Sequence, residues 1–168
     1  MLTINHLLSR KSILFIAPDN EYLSQLTFMV KKEGYAHFFA TDMARAKQII
    51  QQEKPDIVFV SWEFRREVEN LRGICEQPYS SLVIIAEEHI GSKEVFETLE
   101  NGADDFLRRP LDAYQMKGKV HLAFRLTNAM RCVESFELNN QHKAELLSGI
   151  GLSVADLNTG VMNIEVLE

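Results

Sequence analysis

Gly102-Ala103-Asp104-Asp105-Phe106-Leu107-Arg108-Arg109-Pro110-Leu111 is the run that most constrains the architecture. Asn101 and Gly102 close a helix, because glycine takes up the left-handed backbone that ends one. Asp105 to Leu107 then reads as a short strand, stopped at Arg109-Pro110 because proline has no N–H to give a sheet. Asp112 follows as the N-cap of another helix, its carboxylate suited to the unpaired N–H groups of a first turn. A helix, a strand and a helix thus meet in quick succession.

The same alternation continues upstream. Residues 81–86 (SLVIIA) are a short apolar run, and Ser92 caps the helix between that run and Gly102. Residues 57–60 (IVFV), after a turn at Pro55-Asp56, are another, and residues 63–76 between the two make a charged amphipathic helix broken at Gln77-Pro78-Tyr79. Residues 12–17 (SILFIA) open the series. Asp19 or Asn20 caps a helix to about Glu33, with Leu23, Leu26, Phe28, Met29 and Val30 as its apolar stripe and Gly34 as its stop. Residues 35–41 are a second strand, and Thr41 or Asp42 caps a helix carrying Ala46, Ile49 and Ile50. Apolar runs without alternation mark strands buried on both faces, as in parallel sheets covered by helices. Five strands alternating with helices predict an α/β, doubly wound parallel sheet built from right-handed crossovers.

Composition narrows the function classes. The 168 residues suit one domain with an extension. Lys plus Arg number 18 against 24 Asp plus Glu, a formal charge of −6, whereas a chain that neutralises nucleic-acid phosphates needs a basic face. No nucleic acid is expected on this segment. No apolar run reaches the ~20 residues of a membrane span. The start carries His6, Arg10 and Lys11 but no apolar core with a cleavage site, so no membrane partner and a cytoplasmic location are expected. Cys75 and Cys132 form no CxxC pair and read as small apolar thiols of a reducing compartment. The histidines stand at no metal-ligand spacing, and Gly149-Ile150-Gly151 is too short for a phosphate loop. No metal and no cofactor is expected.

The order and punctuation of residues 12–128 resemble the bacterial response-regulator receiver family. The resemblance is carried by residues 12–16, by Lys54-Pro55-Asp56 with the strand after it, and above all by Gly102 to Leu111, a Gly-Ala-Asp-Asp-aromatic-aliphatic run ending in a basic residue and proline. It implies a flavodoxin-like sheet of order 2-1-3-4-5, a cis Arg109-Pro110 peptide and a part in two-component signal transduction. It also implies a phosphorylation site in the loops at the carboxyl ends of the strands. Such a site has an acidic pair after the first strand to help hold Mg²⁺, an Asp nucleophile ending the third, a hydroxyl ending the fourth, and a lysine before the proline. Here the acidic pair falls on Ala17 and Pro18, with Asp19 one step too far along; the nucleophile position is Ser61, the hydroxyl position Ala86 and the lysine position Arg109.

The resemblance therefore implies a pseudo-receiver, a non-catalytic signalling module and not an enzyme. Ser61 is expected to fill a vacated pocket with no adjacent base to activate it, and Asp19 to cap a helix. Arg109 either pairs with Asp19, Glu63 or Glu87 or is solvated. Trp62 and Phe64 either pack in the core or form a partner patch. Phe106, at the position of the family's switch aromatic, is expected to pack in place. The alternative function is an atypical receiver still regulated by phosphorylation, or by a small ligand in the strand-end crevice.

The last helix runs from Ala113 to Ser148 without proline, and one receiver-sized sheet covers about half of it. The expected organisation is a pseudo-receiver domain at 1–128, a projecting linker helix at 129–149, and at 150–168 the start of a truncated following domain or a tail, with hairpin-like runs around Asn158-Thr159-Gly160. Leu122, Leu126, Ala129, Val133, Phe136, Asn140, Lys143 and Leu147 alternate spacings of 4 and 3, the rhythm of a coiled-coil core. The first members are expected on the sheet, and Val133, Phe136, Asn140 and Leu147 in a homodimer. The other expected partners are a linked output domain or further signalling proteins.

Overall fold

Strands form where the apolar runs leave no face to keep wet. The computed structural model describes residues 11–149. In it β1 (Ser12–Ile16), β3 (Ile57–Ser61) and β4 (Ser81–Ala86) are buried at every position, while β2 (Ala36–Ala40) and β5 (Asp105–Arg108) are mostly half-buried. All neighbours pair in parallel, in the order β2-β1-β3-β4-β5. Leu14, for example, lies opposite Phe38 on one side and Val58 on the other. This is the doubly wound sheet expected, and the half-buried strands are its two edges.

Alternate strand residues face opposite layers. On one face α1 (Asn20–Val30) and α5 (Ala113–Gly149) bring Leu23, Leu26, Val30, Met116, Val120 and Phe124 onto Ile13, Phe15, Phe59, Ile85 and Leu107. On the other, α2 (Met43–Glu53), α3 (Val68–Ile74) and α4 (Ser92–Glu100) bring Ala46, Ile49, Ile50, Leu71 and Val95 onto Leu14, Val58, Val60, Leu82 and Ile84. Asp42 caps α2 by accepting the Arg45 N–H at 2.8 Å, and Asp112 caps α5 by accepting those of Tyr114 and Gln115.

The amino end of the sheet is closed by buried hydrogen bonds. Asp56 accepts the Ser12 N–H at 2.8 Å, and Ser80 donates its hydroxyl to the Pro55 carbonyl. Thr127 of α5 donates to the Asp56 carbonyl at 2.8 Å and shares a bond with the Ser81 hydroxyl, which also bonds the Ala123 carbonyl. Beside them, Arg72 explains much of the run from Gly102 onward. Its guanidinium donates to the Gly102 carbonyl at 2.9 Å, to the Ser80 carbonyl at 3.2 Å and to Asp104 at 2.7 Å. Asp104 also accepts the Leu82 N–H at 2.7 Å and the Tyr79 hydroxyl. Gly102 has φ 114, and a Cβ there would lie 2.9 Å from Arg72 Cβ, so the site demands glycine twice over.

Several local expectations change. Residues 62–67 wind as a 3-10 turn and only Val68–Ile74 is α-helix; the tighter winding carries Trp62 and Phe64 onto the core straight from the strand end. Gly91, not Ser92, is the N-cap of α4, because the Glu94 carboxylate reaches back to accept the Gly91 N–H at 2.9 Å. Phe28 is 75% exposed, since it lies about 200° around the helix from Leu26. Leu122 and Leu126 are 53% and 37% exposed rather than packed on the sheet, because Met116, Val120, Ala123 and Thr127 already occupy that face of α5. Cys132 is exposed, whereas Cys75 is buried, which raises its thiol from the ordinary 9.0 to about 11.

The chain divides into two units, Met1–Met130 and Arg131–Glu168. The described part of the second, residues 131–149, is helix throughout, and Val133, Phe136, Leu138 and Leu146 on it are exposed. The hairpin-like runs at 150–168 lie outside the described residues.

Candidate functional site

Because every strand runs the same way, their carboxyl ends meet at one edge of the sheet, and the loops there enclose an open crevice. Ala17 follows β1 and is buried; Pro18 and Asp19 after it are exposed, with the Asp19 carbonyl accepting the Leu23 N–H at 3.3 Å as α1 begins. Ser61 ends β3 and is 1% exposed, Ala86 ends β4 fully buried, and Arg109 is the first residue after β5. The crevice, about 720 Å³, is lined by Gln25, Glu87, Glu88, His89, Arg109, Pro110 and Leu111.

Two side-chain pairs occupy this edge. The Ser61 hydroxyl donates to the Glu63 carboxylate, which corrects the expectation that no base stands beside it. The reason is local: the 3-10 turn after β3 folds Glu63 back over the strand end. Arg65 completes that turn, donating to the Trp62 carbonyl at 3.2 Å and lying 4.9 Å from the centre of the Trp62 ring. The second pair is Arg109 with Glu87 at 2.9 Å, both side chains a little under one-third exposed. Glu87 is one of the three carboxylates expected as partners of Arg109. The Arg109 N–H also extends the β4–β5 ladder to the Ala86 carbonyl at 2.9 Å, and Arg109-Pro110 is cis as expected.

Phe106 is partly buried against the layer of α2, α3 and α4. Arg108 and Lys119 each lie 5.7 Å from its ring centre, and Lys119 is held by both oxygens of Asp105. Trp62 is 7% exposed and Phe64 packs on the same core, which favours packing over a partner patch. His89 is exposed at the crevice mouth. Among the described residues no three His, Cys, Asp or Glu side chains are arranged to hold a metal ion, and no helix is long and apolar enough to cross a membrane.

A receiver domain from Vibrio parahaemolyticus, described as that of a Luxo repressor protein, superposes with a TM-score of 0.63 and 22% identity, covering 74% of this chain and 98% of its own. The fold is that of response-regulator receiver domains. A two-component response regulator from Clostridium difficile matches the receiver fold with a TM-score of 0.62 and 20% identity, over 69% of this chain and 97% of that one. NtrX from Brucella abortus matches with a TM-score of 0.68 and 20% identity, over 76% of this chain but 29% of NtrX. No family model and no curated protein matches the sequence.

Sequence reasoning missed Glu63 as the partner of Ser61, and Gln25 and Leu111 as crevice walls. A serine two residues before an acid at a strand end was the available signal for the first. The walls depend on how α1 and the loop after β5 pack, for which a single sequence carries no local mark.

Proposed function

We propose that this chain is a pseudo-receiver: a cytoplasmic, non-enzymatic signalling module on a receiver fold, coupling to a further domain or partner and not phosphorylated itself. The observation that carries this reading is what stands at the four strand ends. Ala17, Pro18 and Ala86 offer neither carboxylate nor hydroxyl, Ser61 is buried and bonded to Glu63, and the Arg109 cation is taken by Glu87. Mg²⁺ asks for an octahedral set of oxygens including carboxylates, and Ala17 and Pro18 supply none at the two positions that follow β1. The donors do not fit the ion. Incubation with acetyl phosphate and Mg²⁺ at neutral pH is expected to add no phosphoryl group by intact mass, and a stoichiometric adduct would overturn the reading.

The Ser61–Glu63 bond favours one competing reading, in which Glu63 serves as base for phosphorylation at Ser61. Burial of Ser61 opposes it, since a donor cannot reach the hydroxyl without moving the 3-10 turn. An adduct that forms on the chain but not on its S61A variant would establish it.

The second part of the proposal is homodimerisation through α5. Val133 and Phe136 are 50% and 67% exposed, and with Asn140 and Leu147 they continue the rhythm begun at Leu122 and Leu126. Apolar core positions at this spacing associate with a second helix. Light scattering at tens of micromolar is expected to give a dimer, and V133E/F136E a monomer. A monomer before any substitution rules this out.

A further inference from the structure

The loop that leaves β4 is gripped at both ends by consecutive arginines. Arg109 pairs with Glu87, the loop's first residue, at 2.9 Å. Arg108, the last residue of β5, donates to the Ile90 carbonyl near the loop's far end at 2.5 Å. Neighbouring residues at a strand end point to opposite faces, so the two cations reach the loop from different sides. Between them the Ile90 N–H bonds the Glu87 carbonyl at 3.2 Å, closing the loop as one turn, and Gly91 directly after it caps α4.

We infer that Arg108 and Arg109 with residues 87–91 form a self-liganded latch, in which the loop's own Glu87 engages the crevice cation and holds the loop ahead of α4 in place without any ligand. The inference rests on the pseudo-receiver reading, since it assigns to an internal carboxylate the cation that an incoming anion would otherwise engage. The latch is built to open. An ion pair whose partners are each more than a quarter exposed is screened by water and salt and contributes little. The Arg108–carbonyl bond is local to the loop and does not reach Glu87. Loss of the pair therefore loosens the Glu87 end of the loop while leaving the sheet intact, with Arg108 still on the Ile90 carbonyl and Glu94 still capping Gly91.

Hydrogen exchange read by mass spectrometry on the full chain tests this. E87Q and R109Q are each expected to speed exchange in the peptide covering 87–92 about three- to fivefold, the range open to a part-exposed pair. Peptides from β1 and β3 should not change. Because the two side chains act as one unit, E87Q/R109Q should be no faster than either single variant, and the swap E87R/R109E should restore most of the protection. R108Q should add to E87Q, since it grips the other end. Unchanged exchange in both single variants, or additive effects of E87Q and R109Q, overturns the latch. Acetyl phosphate with Mg²⁺ on the same samples separates the two claims: a phosphoryl adduct defeats the pseudo-receiver reading, whereas the exchange pattern alone decides the latch.

Discussion

The two ends of this one sheet are held by different chemistry. At the amino end, Ser12, Asp56, Ser80, Ser81 and Thr127 are all at most 8% exposed and exchange hydrogen bonds with backbone groups of β1, the turn before β3, β4 and α5, beside the Arg72–Asp104 pair. At the carboxyl end, the loop after β4 is tied by an ion pair with both side chains more than a quarter exposed and by the Arg108 bond to the Ile90 carbonyl. Buried hydrogen bonds are costly to break because the group left behind has no water to turn to. Part-exposed ion pairs are cheap to break because water and salt replace the partner. The amino end therefore fixes the fold and the point where α5 is anchored, and the carboxyl end keeps its loops free to move.

The sharpest way to break the comparison is Asp56→Ala, which removes the acceptor of a buried Ser12 N–H; a loss of about 2–3 kcal/mol in denaturant unfolding is expected. A loss no larger than that of E87Q would mean the two ends do not differ. Alkaline pH strikes the amino end in a second way. Burial pushes the Cys75 thiol up to about 11 and, with the hydrogen bond to Asp104, lifts Tyr79 well above its ordinary 10.0. Both groups are raised in the fold, so their contribution is complete below the unfolded values, pH 9 for the thiol and 10 for the phenol, and is lost as pH rises from there. Each costs up to about 1.4 kcal/mol per pH unit across its window. Thermal unfolding should therefore fall from about pH 9 upward, and C75A should flatten the first part of that fall; a flat profile to pH 11 would contradict the burial of both groups. At the carboxyl end E87Q should cost less than about 1 kcal/mol. The smallest effect concerns reactivity alone: in the native state a thiol reagent should modify Cys132 quickly and Cys75 only on unfolding.

The sheet was legible because β1, β3 and β4 are short apolar runs without alternation, a pattern with one good explanation. Their partner helices were legible from caps such as Asp42 and Asp112. Residue-level exposure was harder. Phe28 and Leu122 look like core in a list of apolar residues, yet each lies on the far side of its helix from neighbours that already fill the sheet contact. The strand-end edge was legible as a set of missing groups at Ala17, Pro18, Ser61 and Ala86. Its internal replacements were less so, because the Ser61–Glu63 contact depends on a 3-10 turn where the charge pattern predicts an α-helix. Glu87 was one of three carboxylates open to Arg109, and it is loop geometry that brings it to 2.9 Å.

Beryllofluoride with Mg²⁺ gives the most direct test of the pseudo-receiver reading, because it reports on the whole crevice rather than on one residue. A ligand that binds only the folded state raises stability by ~2.7 kcal/mol at a hundredfold excess over its dissociation constant. The expected result is a melting temperature unchanged by beryllofluoride and Mg²⁺ together, in wild type and in S61A alike. A stabilisation of that size that requires Mg²⁺ would contradict it.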